Sequence, residues 1–159
     1  MNETIRRPLM NTRVIDQDER ARMGRFSVRL SLANDRDVGL AESGAMRPED
    51  VRRANIDGIV DSGAAHLVLP EKVVKELGLP EAGQVKVRYA DHRSGKRKRV
   101  SHVLLEILGR ESVFTAIVEP KRDTALIGAI VLEELDLVVD CTKQVLHPRD
   151  PDWIISEIE

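Results

Sequence analysis

Apolar and polar positions alternate strictly near the start of the folded part of this chain. Phe26, Val28, Leu30 and Leu32 fall on one face, with Ser27, Arg29 and Ser31 on the other, and that period of two predicts a half-buried strand. Asn34, Asp35, Arg36 and Asp37 read as the turn that ends it, and Gly39, Gly44 and Pro48 mark a loop beyond. The run 56–60 predicts a second strand, with Gly58 inside it marking a bulge or a close backbone approach. A third apolar run at 67–69 leads into the clearest helix, 70–77. Pro70 suits its first turn, Glu71 its N-terminus, and Gly78 its C-terminal cap, while Val73, Val74 and Leu77 form its apolar face. Val85, Val87 and Tyr89 alternate with Lys86 and Arg88. A turn at 91–95 follows, then strands at 100–108 and 113–118 around the turn 109–111. Residues 125–128 form one more short strand, 130–135 a helix, and 137–139 with 145–146 a closing pair. The fold this predicts is all-β: a closed, mostly antiparallel barrel-like domain with one or two short helices.

Composition narrows the picture. A chain of 159 residues has the bulk for one core; 42% hydrophobic residues with only 3% aromatic ones make that core aliphatic. Charged residues are abundant, yet the net charge is −2, so the overall field is weak and neither nucleic acid nor an anionic membrane is the expected main partner. Cys141 is the single cysteine and has no internal disulfide partner. No apolar run reaches membrane-spanning length, and the first residues lack the apolar core of a secretory signal, so a cytoplasmic location is the expectation. The segment 1–25 is polar and mixed in charge and reads as a mobile arm or short exposed helix, ahead of a domain at 26–148 and a tail at 149–159. Lys96, Arg97, Lys98 and Arg99 read as the solvated face of a hairpin. His66, His92, His102, His147 and Cys141 have no metal-ligand spacing, so no metal and no cofactor is expected.

The chemistry concentrates at Asp61. Ile59 and Val60 deliver this acid to a Ser62-Gly63 turn. A carboxylate beside such a strand is costly unless hydrogen-bonded, paired or neutralised, and Gly63 lets loop amides turn toward it. Further along, Leu126-Ile127-Gly128 again describes a strand ending in close backbone contact.

At this pairing the chain resembles the retropepsin-like aspartic peptidases of the single-domain prokaryotic type. Asp61-Ser62-Gly63-Ala64 matches their Asp-Thr/Ser-Gly-Ala, and Leu126-Ile127-Gly128 their downstream hydrophobic-hydrophobic-Gly. Leu67-Val68-Leu69-Pro70 and Leu77-Gly78-Leu79 match segments that follow the active-site turn. The resemblance implies an aspartic endopeptidase, a hydrolase of peptide bonds whose Asp61 is catalytic. Ser62, Gly63, Ala64, Leu126, Ile127 and Gly128 would form the active-site loop, its braces and its substrate contacts. The hairpin bearing Tyr89, Asp91, His92 and Arg93 would be the flap. His92 departs from the pattern, standing where relatives often have a flap glycine; Ala129 stands where retroviral relatives usually carry a charged residue.

Such chemistry needs two carboxylates sharing one proton, because like charges a few ångström apart cannot both ionise easily. The chain has one Asp-Ser/Thr-Gly, so the implied site is completed by a second copy across a two-fold axis. The expected partners are therefore a second copy and a peptide or protein substrate. The tail with Trp153, Ile154, Ile155 and Ile158 resembles the terminal strands that such dimers interleave, and docking on the body or the partner is expected for it. Two rivals stand beside this reading. One is a retropepsin-like dimerisation or peptide-binding module with weak or no catalysis; the other is an unrelated β-barrel in which Asp61 is a surface turn residue.

Overall fold

The computed structural model describes residues 25–159. The predicted N-terminal arm lies outside them except for Arg25. Among the described residues nine strands form: β1 (Arg25–Asn34), β2 (Arg53–Asp61), β3 (Leu67–Pro70), β4 (Glu81–Arg88), β5 (Ser94–Ile107), β6 (Arg110–Glu119), β7 (Ala125–Ile127), β8 (Leu137–Asp140) and β9 (Val145–Pro148). Three helices join them: α1 (Asp35–Glu42), α2 (Glu71–Leu77) and α3 (Ala129–Glu134), with a 3-10 turn at Pro48–Asp50. One or two short helices were expected; α1 is the addition.

Six strands close into a barrel in the order β1-β2-β7-β3-β6-β5, sealed by pairing of β1 with β5. Most neighbours are antiparallel, while β2–β7 and β3–β6 run parallel. The inward positions are aliphatic, as the composition implies: Leu30, Val60, Leu69, Val103, Leu105 and Ile127 are each at most 1% exposed. β4 stands outside the closed ring, paired among the described strands with β5 alone. β8 and β9 form a separate two-stranded sheet.

The sequence reading places β5 at 100–108, but the strand begins at Ser94. Its first half carries the Lys96–Arg99 charges and pairs with β4 (Gln84↔Lys98 to Arg88↔Ser94); its second half builds the barrel wall. Both ladders slip between these halves, at Glu81/Gln84 and Val100/Val103, where Gly83 and His102 take positive φ of 93° and 61°.

α1 replaces the turn expected at residues 34–37. Asn34 is its N-cap, its side-chain oxygen accepting from the Asp37 N–H at 3.2 Å, and Asp35 and Asp37 lie in the positive first turn. The Asn34 amide also donates to Leu77 O at 2.9 Å, tying α1 to the end of α2. Pro70 proves to be the N-cap of α2 rather than part of its first turn, and Gly78 ends the helix at φ 59°. Asp37 is buried and accepts from the Arg52 Nε at 2.8 Å, Nη2 at 2.9 Å and N–H at 3.1 Å. Those bonds from Arg52 hold the Asp37 carboxyl below the ordinary carboxylate range despite burial.

β7 lies between β2 and β3, pairing Val60 with Ile127 and Leu67 with Ile127. The close approach expected at Gly58 is real: a Cβ there would meet Leu30 Cδ2 at 2.4 Å and Ile127 Cδ1 at 2.7 Å. Gly128 is the less forgiving of the two, since a Cβ would lie 2.5 Å from His66 O and 2.7 Å from the Ala65 carbonyl carbon and His66 N, all backbone rather than side-chain atoms.

The tail from Arg149 onward contains no strand or helix. Its backbone is nonetheless held. The Arg110 guanidinium donates to Leu135 O and Asp136 O at 3.0 Å, to Trp153 O at 2.9 Å, and to Asp150 O. Asp136 accepts from the Ile155 N–H at 3.0 Å and pairs with Arg149 at 2.8 Å. The docking expected on the body thus runs through polar groups, leaving Trp153 73% and Ile158 90% exposed.

Two stability measurements check these contacts. Gly128→Ala forces backbone apart in the packed loop and should cost about 1–3 kcal/mol in urea unfolding. Asp37→Ala leaves the Arg52 N–H and guanidinium unpartnered and should cost about 1–3 kcal/mol at pH 7. Because the folded Asp37 is the stronger acid, its contribution is complete above the unfolded value of about 3.9. It is lost as pH falls through the lower folded value, so wild type and variant should converge in stability below about pH 4.

Candidate active site

Val60, wholly buried, anchors the end of β2, and the next residue, Asp61, emerges at the barrel rim with a side chain 18% exposed. The chain then turns on itself: the Gly63 N–H donates to Asp61 Oδ1 at 3.0 Å and the Ala64 N–H to Asp61 O at 3.1 Å. The amide that the Ser-Gly turn was expected to offer is therefore present. The other carboxylate oxygen, Oδ2, lies 3.3 Å from Nη2 of Arg25, which sits opposite Asp61 in the β1–β2 register.

The loop is braced from beneath. The Ala129 N–H donates to Ala64 O at 2.8 Å and the Ile130 N–H to Ala65 O at 3.0 Å. These amides open α3, which lacks a side-chain cap; the loop carbonyls take that place. Gly128 admits the contact because it has no side chain. Leu126-Ile127-Gly128 thus meets the Asp61 loop as the motif pairing implied, Ile127 buried in the core and Leu126 half-buried at the cleft.

A cleft of about 660 Å³ opens beside Asp61. Its floor comes from Gly63, Ala64, Ala65, Val68, Ile117 and Leu126, and its other wall from β4 and the turn after it. Among the residues assigned to the hairpin, Tyr89 and Arg93 line the cleft, whereas Asp91 and His92 are exposed at the tip outside it. Ser62 is likewise exposed and outside the lining. His92 holds φ at 67°, the left-handed backbone that glycine favours, so the departure at this position keeps the turn geometry at a conformational cost. The turn is closed by the Tyr89 N–H to Arg93 O at 2.8 Å and the His92 N–H to Tyr89 O at 3.0 Å.

Two cleft residues escape the sequence reading. Glu119, at the end of β6, accepts from the Tyr89 hydroxyl at 2.7 Å and from the Arg97 Nε at 2.9 Å. The basic run predicts a solvated Arg97, yet its side chain is 28% exposed and stands 5.7 Å from the Tyr89 ring centre. Burial, and after it the bond to Glu119, raises the Tyr89 hydroxyl above its ordinary range. Glu119 lies 30 residues from Tyr89 in sequence, with no motif to link them. The only available signal was an acid closing a strand opposite a basic hairpin.

Known proteins give the arrangement its context. No curated protein matches the chain. Among solved structures, the EIAV protease complexed with the inhibitor HBY-793 is similar, with a TM-score of 0.50 and 14% identity, over 70% of this chain and 88% of that one. At that identity the likeness shows a shared fold, that of a retroviral protease. The model of the aspartyl protease family matches residues 49–131, just over half of the chain, from before β2 to within α3. That span holds both Asp61-Ser62-Gly63-Ala64 and Leu126-Ile127-Gly128, and with the closed barrel around them it shows that this chain belongs to the aspartyl protease family, of the retropepsin-like type.

Proposed function

We propose that this protein is an aspartic endopeptidase that hydrolyses peptide bonds at a site assembled from two copies. The observation that carries this reading is the placement of Asp61: a partly exposed carboxylate at a cleft mouth, on a loop fixed by Gly63 from within and by α3 from below. Among the described residues Glu119 is the one acid lining the cleft, and Tyr89 and Arg97 already occupy it. The second carboxylate must therefore come from another chain, and two-fold symmetry supplies Asp61 of a second copy.

The reaction then follows from two like-charged groups sharing one proton. The ionised Asp61 takes a proton from a water held between the pair, and the hydroxide adds to the peptide carbonyl carbon. The protonated Asp61 donates to the carbonyl oxygen, giving a neutral tetrahedral diol. Proton transfer to the amide nitrogen and cleavage of the C–N bond release an acid and an amine. The hairpin of β4 and β5 covers the cleft and limits the water that reaches it.

A second reading has its own support. Arg25 already neutralises Asp61 within one chain at 3.3 Å, as a peptide-binding module without catalysis would tolerate. The two differ in what the acid does. Asp61→Asn should lower peptide cleavage by about 10²–10⁴-fold, the ordinary worth of a general acid–base group, with the fold intact. Specific activity should also fall on dilution as copies separate. Mass-spectrometric cleavage profiling beside analytical ultracentrifugation reads both. Undiminished cleavage by the pure variant, or full activity at monomer mass, overturns the shared pair; peptide binding without any cleavage establishes the module.

A further inference from the structure

The cover of the cleft has little to hold it down. Among the described strands β4 pairs with β5 alone, and the turn that follows β4 is closed within itself. There the Tyr89 N–H donates to Arg93 O at 2.8 Å, and Asp91 accepts from the Arg93 N–H at 3.1 Å and Nε at 2.6 Å. From the start of β4 to Arg93, one hydrogen bond among the described residues reaches beyond β5. It runs from the Tyr89 hydroxyl to Glu119 Oε2 at 2.7 Å, joining the hairpin to the end of β6.

Both ends of that bond are aimed. Glu119 gives its other oxygen, Oε1, to the Arg97 Nε at 2.9 Å, which orients the carboxylate. The half-buried Tyr89 ring stands 5.9 Å from the Arg93 guanidinium carbon and 5.7 Å from that of Arg97, within cation–π reach of both. A hydroxyl held so firmly is more than a packed side chain needs. Nor does the bond fill the site: with it made, the cleft of about 660 Å³ stays free between Val85 and Val87 on one side and Val68, Ile117 and Leu126 on the other. That is an ordinary volume for a preformed ligand site.

From this placement we infer that Glu119 is a positioning residue whose carboxylate, aimed by Arg97, latches the hairpin over the cleft through the Tyr89 hydroxyl, and that the latch sets how firmly a peptide is retained beside Asp61. Breaking the bond frees the hairpin to admit or release a chain; making it encloses one. The retention rests on the peptidase reading. The latch does not depend on catalysis.

Two measurements separate these claims. Tyr89 is the only tyrosine of the chain, so its acetylation by N-acetylimidazole, located by mass spectrometry, reports on the latch without any substrate. Glu119→Ala should speed that reaction about tenfold, the ordinary worth of a hydrogen bond to a charged group, with circular dichroism showing that the barrel persists. The second measurement is cleavage of casein and of a random decapeptide library at low and at saturating concentration. Tyr89→Phe, which removes the hydroxyl and keeps the ring, should lower the rate about tenfold at low concentration and by less than about twofold at saturation. Adding Tyr89→Phe to Glu119→Ala should change nothing further, because both remove one bond. An unchanged acetylation rate in Glu119→Ala overturns the latch. Faster acetylation with Tyr89→Phe cleavage unaltered, raised at low concentration, or lowered equally at both concentrations overturns the role in retention. Wild type that cleaves neither probe overturns the peptidase reading and the retention with it, while the acetylation rate still decides the latch.

Discussion

Two amide-to-carbonyl hydrogen bonds, from Ala129 to Ala64 and from Ile130 to Ala65, fix the position of everything at the cleft mouth. A helix start needs acceptors for its first N–H groups, and a tight loop needs donors for its carbonyls. Here each solves the other's deficit, so neither can relax alone. The contact exists because Gly128 lets the Ala65–His66 backbone lie where any side chain would stand. Asp61 inherits its direction from this arrangement, and the short strand β7, paired with β2 and β3, leads directly into it.

The hairpin is joined to the barrel by a different device. Tyr89 follows β4, Arg97 lies in β5, and Glu119 closes β6, yet one carboxylate gathers them. The shared acid is mostly shielded from solvent, its side chain 13% exposed, where charged hydrogen bonds count for more than at a free surface. Opening the hairpin away from the barrel would strip Glu119 of its partners. The cleft wall is thus positioned by a polar clasp, whereas the cleft floor is positioned by backbone packing.

How much of this could be read from the residues depended on the range of each signal. Alternation at Phe26–Leu32, the glycine approach at Gly58, and the cap at Gly78 are local, and each appears where the pattern puts it. Asp61-Ser62-Gly63-Ala64 and Leu126-Ile127-Gly128 were legible as motifs, and their contact followed from the resemblance rather than from periodicity. The start of α1 was written in the sequence as well, since Asn34 followed by Asp35 and Asp37 is a cap signal. The same residues also favour turns, so the local pattern supports a turn as well as a helix start. The basic run at Lys96–Arg99 hid the first half of β5, because charge masks the alternation that marks a strand. Glu119 and the Arg110 clasp on the tail were illegible in principle: they join residues with no pattern between them, and only the closed barrel brings them together.

β5 is one uninterrupted strand that is barrel wall at one end and cleft cover at the other, and this has a consequence for redesign. The register slips on both its ladders fall at the boundary, beside Gly83 and His102. Above that level the β4–β5 ladder is regular; below it, any length change would shift the alternation of inward and outward side chains around the whole ring. A hairpin transplanted from a relative therefore has a natural splice line between Gln84 and Lys98. Grafts joined there exchange the cover and its charges while the barrel keeps its phase.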